Sequence, residues 1–167
     1  MKRRIVLGGL SGLLAGCTVG ADSSTDDCPT VPDASETVCN DDAPVALTAS
    51  GRRVSLPEAT VRFELHNRSD ESIGLTVSNW SLYERTTEGW ESVVSPTVNP
   101  MRHLVGSDEA IQWEVVLDSE EAILQSDSDA TSVRIGDVSP GTYAFVVRRT
   151  VEPDTTAYAA TFDVVDE

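Results

Sequence analysis

The stretch ATVRFELH, residues 59–66, decides the class of fold. Its apolar side chains fall on alternate positions, and polar side chains stand between them. A strand points successive side chains to opposite faces of its sheet, so this period predicts a β-strand with one buried face and one wet face. The stretch IQWEVVL, residues 111–117, has the same period and predicts a second long strand, with Trp113 facing inward.

Shorter stretches with a period of two fill the rest of residues 45–167, and polar turns separate them. One such turn, Thr87-Glu88-Gly89, lies between two strand-like stretches and predicts a hairpin. About eight strands without a convincing helix indicate an all-β, antiparallel sandwich that forms one domain over residues 45–167. Parallel sheets need crossover helices, and the sequence shows none.

Most of the aromatic residues fall in these strands, so we expect Trp80, Trp113 and Tyr143 to be structural core residues. Trp90 lies beside the predicted hairpin turn, where side chains are exposed. It is therefore the best aromatic candidate for contact with a ligand.

The N-terminus has the pattern of an export signal. Lys2, Arg3 and Arg4 precede an uncharged apolar stretch over residues 5–15. That stretch is shorter than the about twenty residues that a transmembrane helix needs. We therefore expect residues 1–16 to be a cleaved signal peptide.

The end of this signal, Leu14-Ala15-Gly16-Cys17, resembles the signal of lipoproteins. The resemblance implies that Cys17 receives a lipid on its sulfur and becomes the mature N-terminus, so that the protein is anchored on the extracellular face of the membrane. An unmodified Cys17 in a general signal peptide is the alternative. Arg3-Arg4 also resembles a twin-arginine signal, which leaves the export route open.

Residues 17–44 are rich in Ser, Thr, Asp, Gly and Pro and have no sustained apolar period. This composition predicts a disordered, flexible tether. Cys28 and Cys39 lie within it, and outside the cytoplasm two such cysteines are expected to form a disulfide. A metal site would need four suitable ligands, and no histidine lies nearby.

The chain is strongly acidic, with 12 basic and 28 acidic residues. Three of the basic residues lie in the predicted signal, so the mature chain has nine basic residues against 28 acidic ones, a net charge of −19. So many like charges repel one another and destabilise a compact state. High salt shortens the Debye length to about 3 Å or less and so removes this repulsion, which indicates adaptation to a saline habitat. The same charge excludes nucleic acid as a partner.

Three segments are similar to a known family, and they are VRFELHNRS at residues 61–69, WSLYE at residues 80–84 with Gly89-Trp90, and SPGTYAF at residues 139–145. They resemble small bacterial immunoglobulin-like domains, most closely those on lipoproteins of halophilic archaea. The resemblance covers about residue 45 to the end and implies an immunoglobulin-like sandwich. It also implies a tyrosine corner, in which the Tyr143 hydroxyl bonds nearby backbone. The inter-sheet cysteine pair of antibody domains is absent, and the family brings no catalytic residues.

Patterns that would indicate chemistry are incomplete. A blue copper site needs two imidazoles, a thiolate and an axial methionine. Blue copper sandwiches resemble one another in placing the Cys, the second His and the Met on a late loop, but residues 104–167 contain none of the three. His66 and His103 are therefore expected at a strand end and in a loop. There is no Gly-x-Ser-x-Gly motif, and Asp127-Ser128-Asp129 lacks the glycine and glutamate of a calcium loop. We expect no metal, no cofactor and no enzymatic activity.

Asn67 and Asn79 each begin an N-x-Ser motif, so both are possible N-glycosylation sites in an exported chain. Asn67 falls in a predicted turn that could accommodate a glycan, whereas Asn79 precedes Trp80, which is predicted to be buried.

Two functions follow from these expectations. The first is a monomeric, lipid-anchored surface protein that contacts an envelope protein or glycan, or acts as a structural spacer. The second is a ligand-binding or protease-inhibitory module that uses loops of the sandwich. An exposed aromatic or apolar pocket at one end of the sandwich favours the second function, and uniformly acidic loops favour the first.

Overall fold

The computed structural model describes residues 27–120, 124–127, 129 and 131–167. This part of the chain is all-β. It contains thirteen strands, which are β1 Glu36–Val38, β2 Val45–Ala49, β3 Arg53–Ser55, β4 Glu58–Asn67, β5 Ile73–Thr76, β6 Trp80–Thr86, β7 Gly89–Val94, β8 Arg102–Val105, β9 Glu109–Asp118, β10 Leu124–Ser126, β11 Ser132–Ile135, β12 Gly141–Val151 and β13 Asp154–Val165.

The strands form two main sheets and one small one. Sheet A has the order β1-β13-β12-β6-β7, with β3 also paired to β13. Sheet B has the order β10-β11-β9-β4-β2, and β5 pairs with β8 in the small sheet. Residues 59–66 are the inner part of β4, and their buried positions alternate as predicted.

Sheets A and B pack face to face through aromatic rings. Phe145 of β12 stacks on Phe63 of β4, with ring centroids 4.3 Å apart. Trp80 and Trp113 lie 5.4 Å and 5.9 Å from the Phe145 ring. All four side chains are almost fully buried, so the contact between the sheets is the centre of the core.

The predicted antiparallel arrangement is confirmed for the long central pairs and is wrong for three pairings. The parallel pairs are β1 with β13, β3 with β13, and β11 with β9. A parallel pair needs a connection of about a dozen or more residues, which is usually but not always a helix. β1 and β3 are far from β13 in sequence, and 13 residues lie between β9 and β11, so each connection is long enough.

The expectation of a disordered tether over residues 17–44 is wrong for the part that the structure describes. β1 pairs with β13, from Glu36 opposite Thr156 to Val38 opposite Tyr158. Val31 is 4% exposed and packs in an apolar cluster on the face of sheet A that points away from sheet B. The folded unit therefore begins upstream of residue 45, because the N-terminal segment covers this outer face.

We predict that F145A lowers the free energy of unfolding by about 3–5 kcal/mol, because it removes the ring that both sheets contact. Chemical denaturation of the purified chain measures this loss. The matched control on the same strand is V151A, whose side chain is 55% exposed and whose cost should stay within about 0.5 kcal/mol. Equal costs for the two variants would contradict the assigned core.

Candidate functional site: a pocket at the start of strand β6

The predicted disulfide is present in the structure. Cys28 and Cys39 are joined, with their Cα atoms 5.8 Å apart. The bridge closes the segment that contributes β1 and the buried Val31. Upstream of it, Asp27 forms an ion pair with Arg85 near the end of β6. The predicted signal peptide and Cys17 lie outside the described residues.

The three predicted structural aromatics are core residues. Trp80, Trp113 and Tyr143 have exposures of 1%, 0% and 2%. The Trp113 indole donates to the Val77 carbonyl at 3.1 Å. The Tyr143 hydroxyl donates to the Ser139 carbonyl at 2.8 Å, which is the backbone bond expected of a tyrosine corner.

Trp90 occupies the position that the sequence predicts, after the turn of the β6–β7 hairpin. It is half-buried, because it packs against the outer apolar cluster of sheet A and under the Arg85 guanidinium, 5.9 Å from the ring centroid. The Trp90 ring therefore contacts other residues of the chain and is less accessible to a ligand than the sequence predicts.

Asn67 does not lie in an exposed turn as predicted. It is the last residue of β4 and is fully buried. Its Nδ2 donates to the carbonyls of Glu71, Val105 and Gly106 at 2.7, 3.0 and 3.1 Å. Since a glycan would be attached to that nitrogen, the structure contradicts Asn67 as an accessible glycosylation site.

Asn79 differs from Asn67. It is half-buried, and its side chain makes no hydrogen bond to any described residue. It precedes β6 and lines the pocket described below. Glycosylation of Asn79 therefore stays a prediction.

The two histidines lie apart from any metal-binding group. His66 is near the end of β4 as expected, whereas His103 is in strand β8 and not in a loop. Among the described residues, no group of three or more His, Cys, Asp or Glu side chains is placed to hold a metal ion. Part of the Asp127-Ser128-Asp129 motif, Ser128, is not described.

An ion-pair group fastens one side of sheet B. Arg134 of β11 bonds the carboxylates of Glu58 and Asp118, which lie at the first residue of β4 and the last of β9. The Glu120 backbone N–H and the Arg134 guanidinium, in that order, lower the pKa of Asp118. The two carboxylates raise the pKa of Arg134. This group links three strands, and none of its three members lines the pocket described below, so we assign it a structural role.

A shallow pocket of about 360 Å³ lies where β6 begins. Its lining residues come from β6 and the residue before it, and from the paired end of β12 and β13. Others come from the N-terminal segment and from the chain after β7. The lining residues are Pro32, Asp33, Asn79, Trp80, Ser81, Ser95, Pro96, Val98, Arg148, Thr150 and Thr155.

Arg148 is the only cation that lines this described pocket. It donates to Ser81 Oγ at 2.8 Å and to the Tyr83 hydroxyl at 2.6 Å. Its guanidinium also lies over the Tyr83 ring, 5.9 Å from the centroid. These contacts fix the position of the group without neutralising its charge.

Sequence reasoning missed this pocket. Arg148 falls in a strand-like stretch, where an arginine reads as part of a solvated face. The available signal was the unbroken apolar run before it, residues 143–147, which is buried throughout and indicates a strand covered on both faces. An arginine directly after such a run lies where the layer that covers the strand ends, and a pocket can form there.

Comparisons with known proteins identify no relative. No protein-family model matches the chain, and no curated protein matches it. A β-glucosidase from Erythrobacter marinus is 14% identical over 71% of this chain and 15% of its own, with a TM-score of 0.34. The Pseudomonas fluorescens alkylpurine DNA glycosylase AlkC is 8% identical over 73% and 30%, also at 0.34.

A β-glucosidase from Listeria innocua is 16% identical over 72% of this chain and 16% of its own, with a TM-score of 0.31. This chain therefore spans less than a third of the length of each of these structures. Likeness at such scores carries no argument about function. No helix in the described ranges has the length and apolar character of a membrane span.

We predict that N67A lowers the free energy of unfolding by about 1–3 kcal/mol, because it removes a buried amide that donates to the carbonyls of Glu71, Val105 and Gly106. N79A is the matched control and should change stability by less than about 0.5 kcal/mol. Intact-mass analysis after expression in a glycosylating host should find Asn67 unmodified. A glycan on Asn67 of the folded chain would show the described environment of this residue to be incorrect.

Burial, and then the nearby charge of Glu84, raise the pKa of Tyr143 to about 12. The fold thus holds this proton more tightly than the unfolded chain, whose tyrosine pKa is about 10. The resulting stabilisation is complete below pH about 10 and is lost as the pH rises through about 12.

Tyr143→Phe tests this assignment. We expect it to cost about 1 kcal/mol at neutral pH through the lost hydrogen bond. That difference from wild type should shrink as the pH rises from about 10 to about 12. Denaturation at each pH and tyrosinate absorbance measure the two effects. A wild-type titration without a late step that Y143F removes would refute the assignment.

Proposed function

We propose that the chain is a non-enzymatic, lipid-anchored surface protein with an immunoglobulin-like domain that contacts an envelope component. One observation carries the proposal. The N-terminal segment leaves the domain beside Arg85, near the end of β6, whereas the pocket lies at the start of the same strand. A chain anchored through Cys17 would therefore hold the pocket at the end of the domain farther from the membrane.

The immunoglobulin-like assignment is supported by strand order. The adjacent strands β2-β4-β9 and β7-β6-β12-β13 correspond to A-B-E and C′-C-F-G of such sandwiches. A buried tryptophan in the C position, Trp80, and the Tyr143 bond to Ser139 agree with this correspondence. One departure is that β11 fills the D position although it follows β9 in the chain and runs parallel to it.

Export is supported by the disulfide, because such bonds persist in oxidising compartments. The distance from the anchor is short. Ten residues lie between Cys17 and Cys28, and they reach at most about 36 Å when fully extended. The domain would consequently sit close to the membrane, because the segment after Cys28 belongs to the fold.

A ligand-binding module is the second candidate function, and the pocket around Arg148 is the observation that favours it. The two functions are compatible, since a surface domain contacts its partner through such a site.

The anchor is tested by expressing the full chain in a lipoprotein-processing host at high salt. Wild type and the control T18S should enter the detergent phase of the membrane fraction, with a lipid on Cys17 by mass spectrometry. C17S should not, because it lacks the sulfur that carries the lipid. External protease should degrade the anchored protein on intact cells. An unmodified Cys17 on a mature chain that stays in the cytoplasm would overturn the proposal.

A further inference from the structure

Arg148 forms no ion pair with a described carboxylate, although the chain has 28 acidic residues against 12 basic ones. Four other arginines form ion pairs with carboxylates, and these are Arg52, Arg62, Arg85 and Arg134. Asp33 lines the same pocket as Arg148 but forms no ion pair with it. A guanidinium that is fixed in a pocket and has no ion-pair partner is suited to bind an anionic group, because little ordering entropy is lost on binding.

Arg148 retains N–H groups beyond the two that bond Ser81 and Tyr83, and these can donate to a ligand. The unpartnered donors Trp80 Nε1 and Arg149 Nε do not add to them. Trp80 packs on Phe145 in the core, and Arg149, four residues after Phe145, lies on the same face of β12. The charged donors that the pocket offers a ligand therefore come from Arg148, and a carboxylate complements them.

The remaining lining residues indicate the rest of the ligand. Thr150 and Thr155 present hydroxyl groups that bond each other at 3.1 Å, and the Asn79 amide has no partner among the described residues. Pro96 and Val98 add apolar surface on one side. Hydroxyl and amide groups beside a small apolar wall match a compact molecule with several hydroxyl groups.

We propose that this pocket binds a hydroxylated carboxylate, the chemistry of an acidic sugar. The carboxylate bonds the free N–H groups of Arg148. The ligand hydroxyls bond Asn79, Thr155 and the Asp33 carboxylate, which also lines the pocket and accepts from them. This inference names a ligand class for the proposed binding role. It does not depend on the lipid anchor, so the two can fail separately.

The test is a titration of the purified, ¹⁵N-labelled full-length chain with sodium D-glucuronate at constant ionic strength. D-glucose and sodium acetate are the parallel arms. We expect glucuronate to shift the Arg148 Nε–H and Asn79 resonances at the lowest concentration. Glucose lacks the carboxylate and acetate lacks the hydroxyls, so each should bind at least about tenfold more weakly, which is one lost charge-assisted or hydroxyl contact.

R148Q should weaken glucuronate binding by about tenfold or more, since the charged fork is lost. The matched control R62Q removes the same charge from an exposed position on sheet B and should leave binding within about twofold. Thr155→Val removes one rim hydroxyl and should weaken glucuronate but not acetate. This variant keeps the test decisive if R148Q fails to fold.

Equal affinity for glucuronate and glucose would overturn the proposal, because the pocket would then not recognise the carboxylate. Equal affinity for glucuronate and acetate would overturn it as well, because the hydroxyl groups would then play no part. Glucuronate shifts that R148Q and T155V leave unchanged would place binding elsewhere on the chain. Failure of any of these kinds would leave the anchoring result unaffected.

Discussion

The stacking of Phe145 on Phe63 is the contact on which the other features depend. Each ring belongs to a different main sheet, and both are fully buried. The contact therefore fixes how β12 lies over β4. Because side chains alternate along a strand, a Phe145 that points into the core makes Arg148, three residues later, point to the other face. The position of the pocket thus follows from the packing of the core.

A second layer on sheet A explains the burial of β12. Phe145 and Val147 face sheet B, while Ala144 and Val146 face the cluster that contains Val31. The N-terminal segment thus makes the middle of this strand buried on both faces. The covering layer ends near Asp33, and the pocket opens where it ends. An upstream segment that composition marks as a tether is, in its described part, a wall of the candidate site.

The long strands and the disulfide were predictable from the sequence because their signals are local. β4 has a wet and a dry face, so its alternation is visible without any knowledge of its neighbours. The short strands β1 and β3 have three residues each, which is too few for a period, and they exist because the edge of β13 offers them partners. Their direction and existence are therefore set by tertiary pairing.

The side chains that matter for the candidate site were hidden for the same reason. Asn67 looks like a turn residue, and only the neighbouring carbonyls of Val105 and Gly106 show why it is buried. Arg148 looks like a solvated residue, and its fixed position depends on Ser81 and Tyr83 of another strand. Each assignment requires a contact between residues that are distant in sequence.

The bridge from Cys28 to Cys39 also bears on how the molecule behaves in solution. It holds a flap over a strip of small apolar residues, whose members are Ala144, Val146, Ala157 and Ala159. Reduction would release the flap and expose an apolar sheet surface of the kind that promotes self-association. We therefore expect the solubility of this chain to depend on the redox state of its surroundings. A reducing environment would favour aggregation before the aromatic core unfolds.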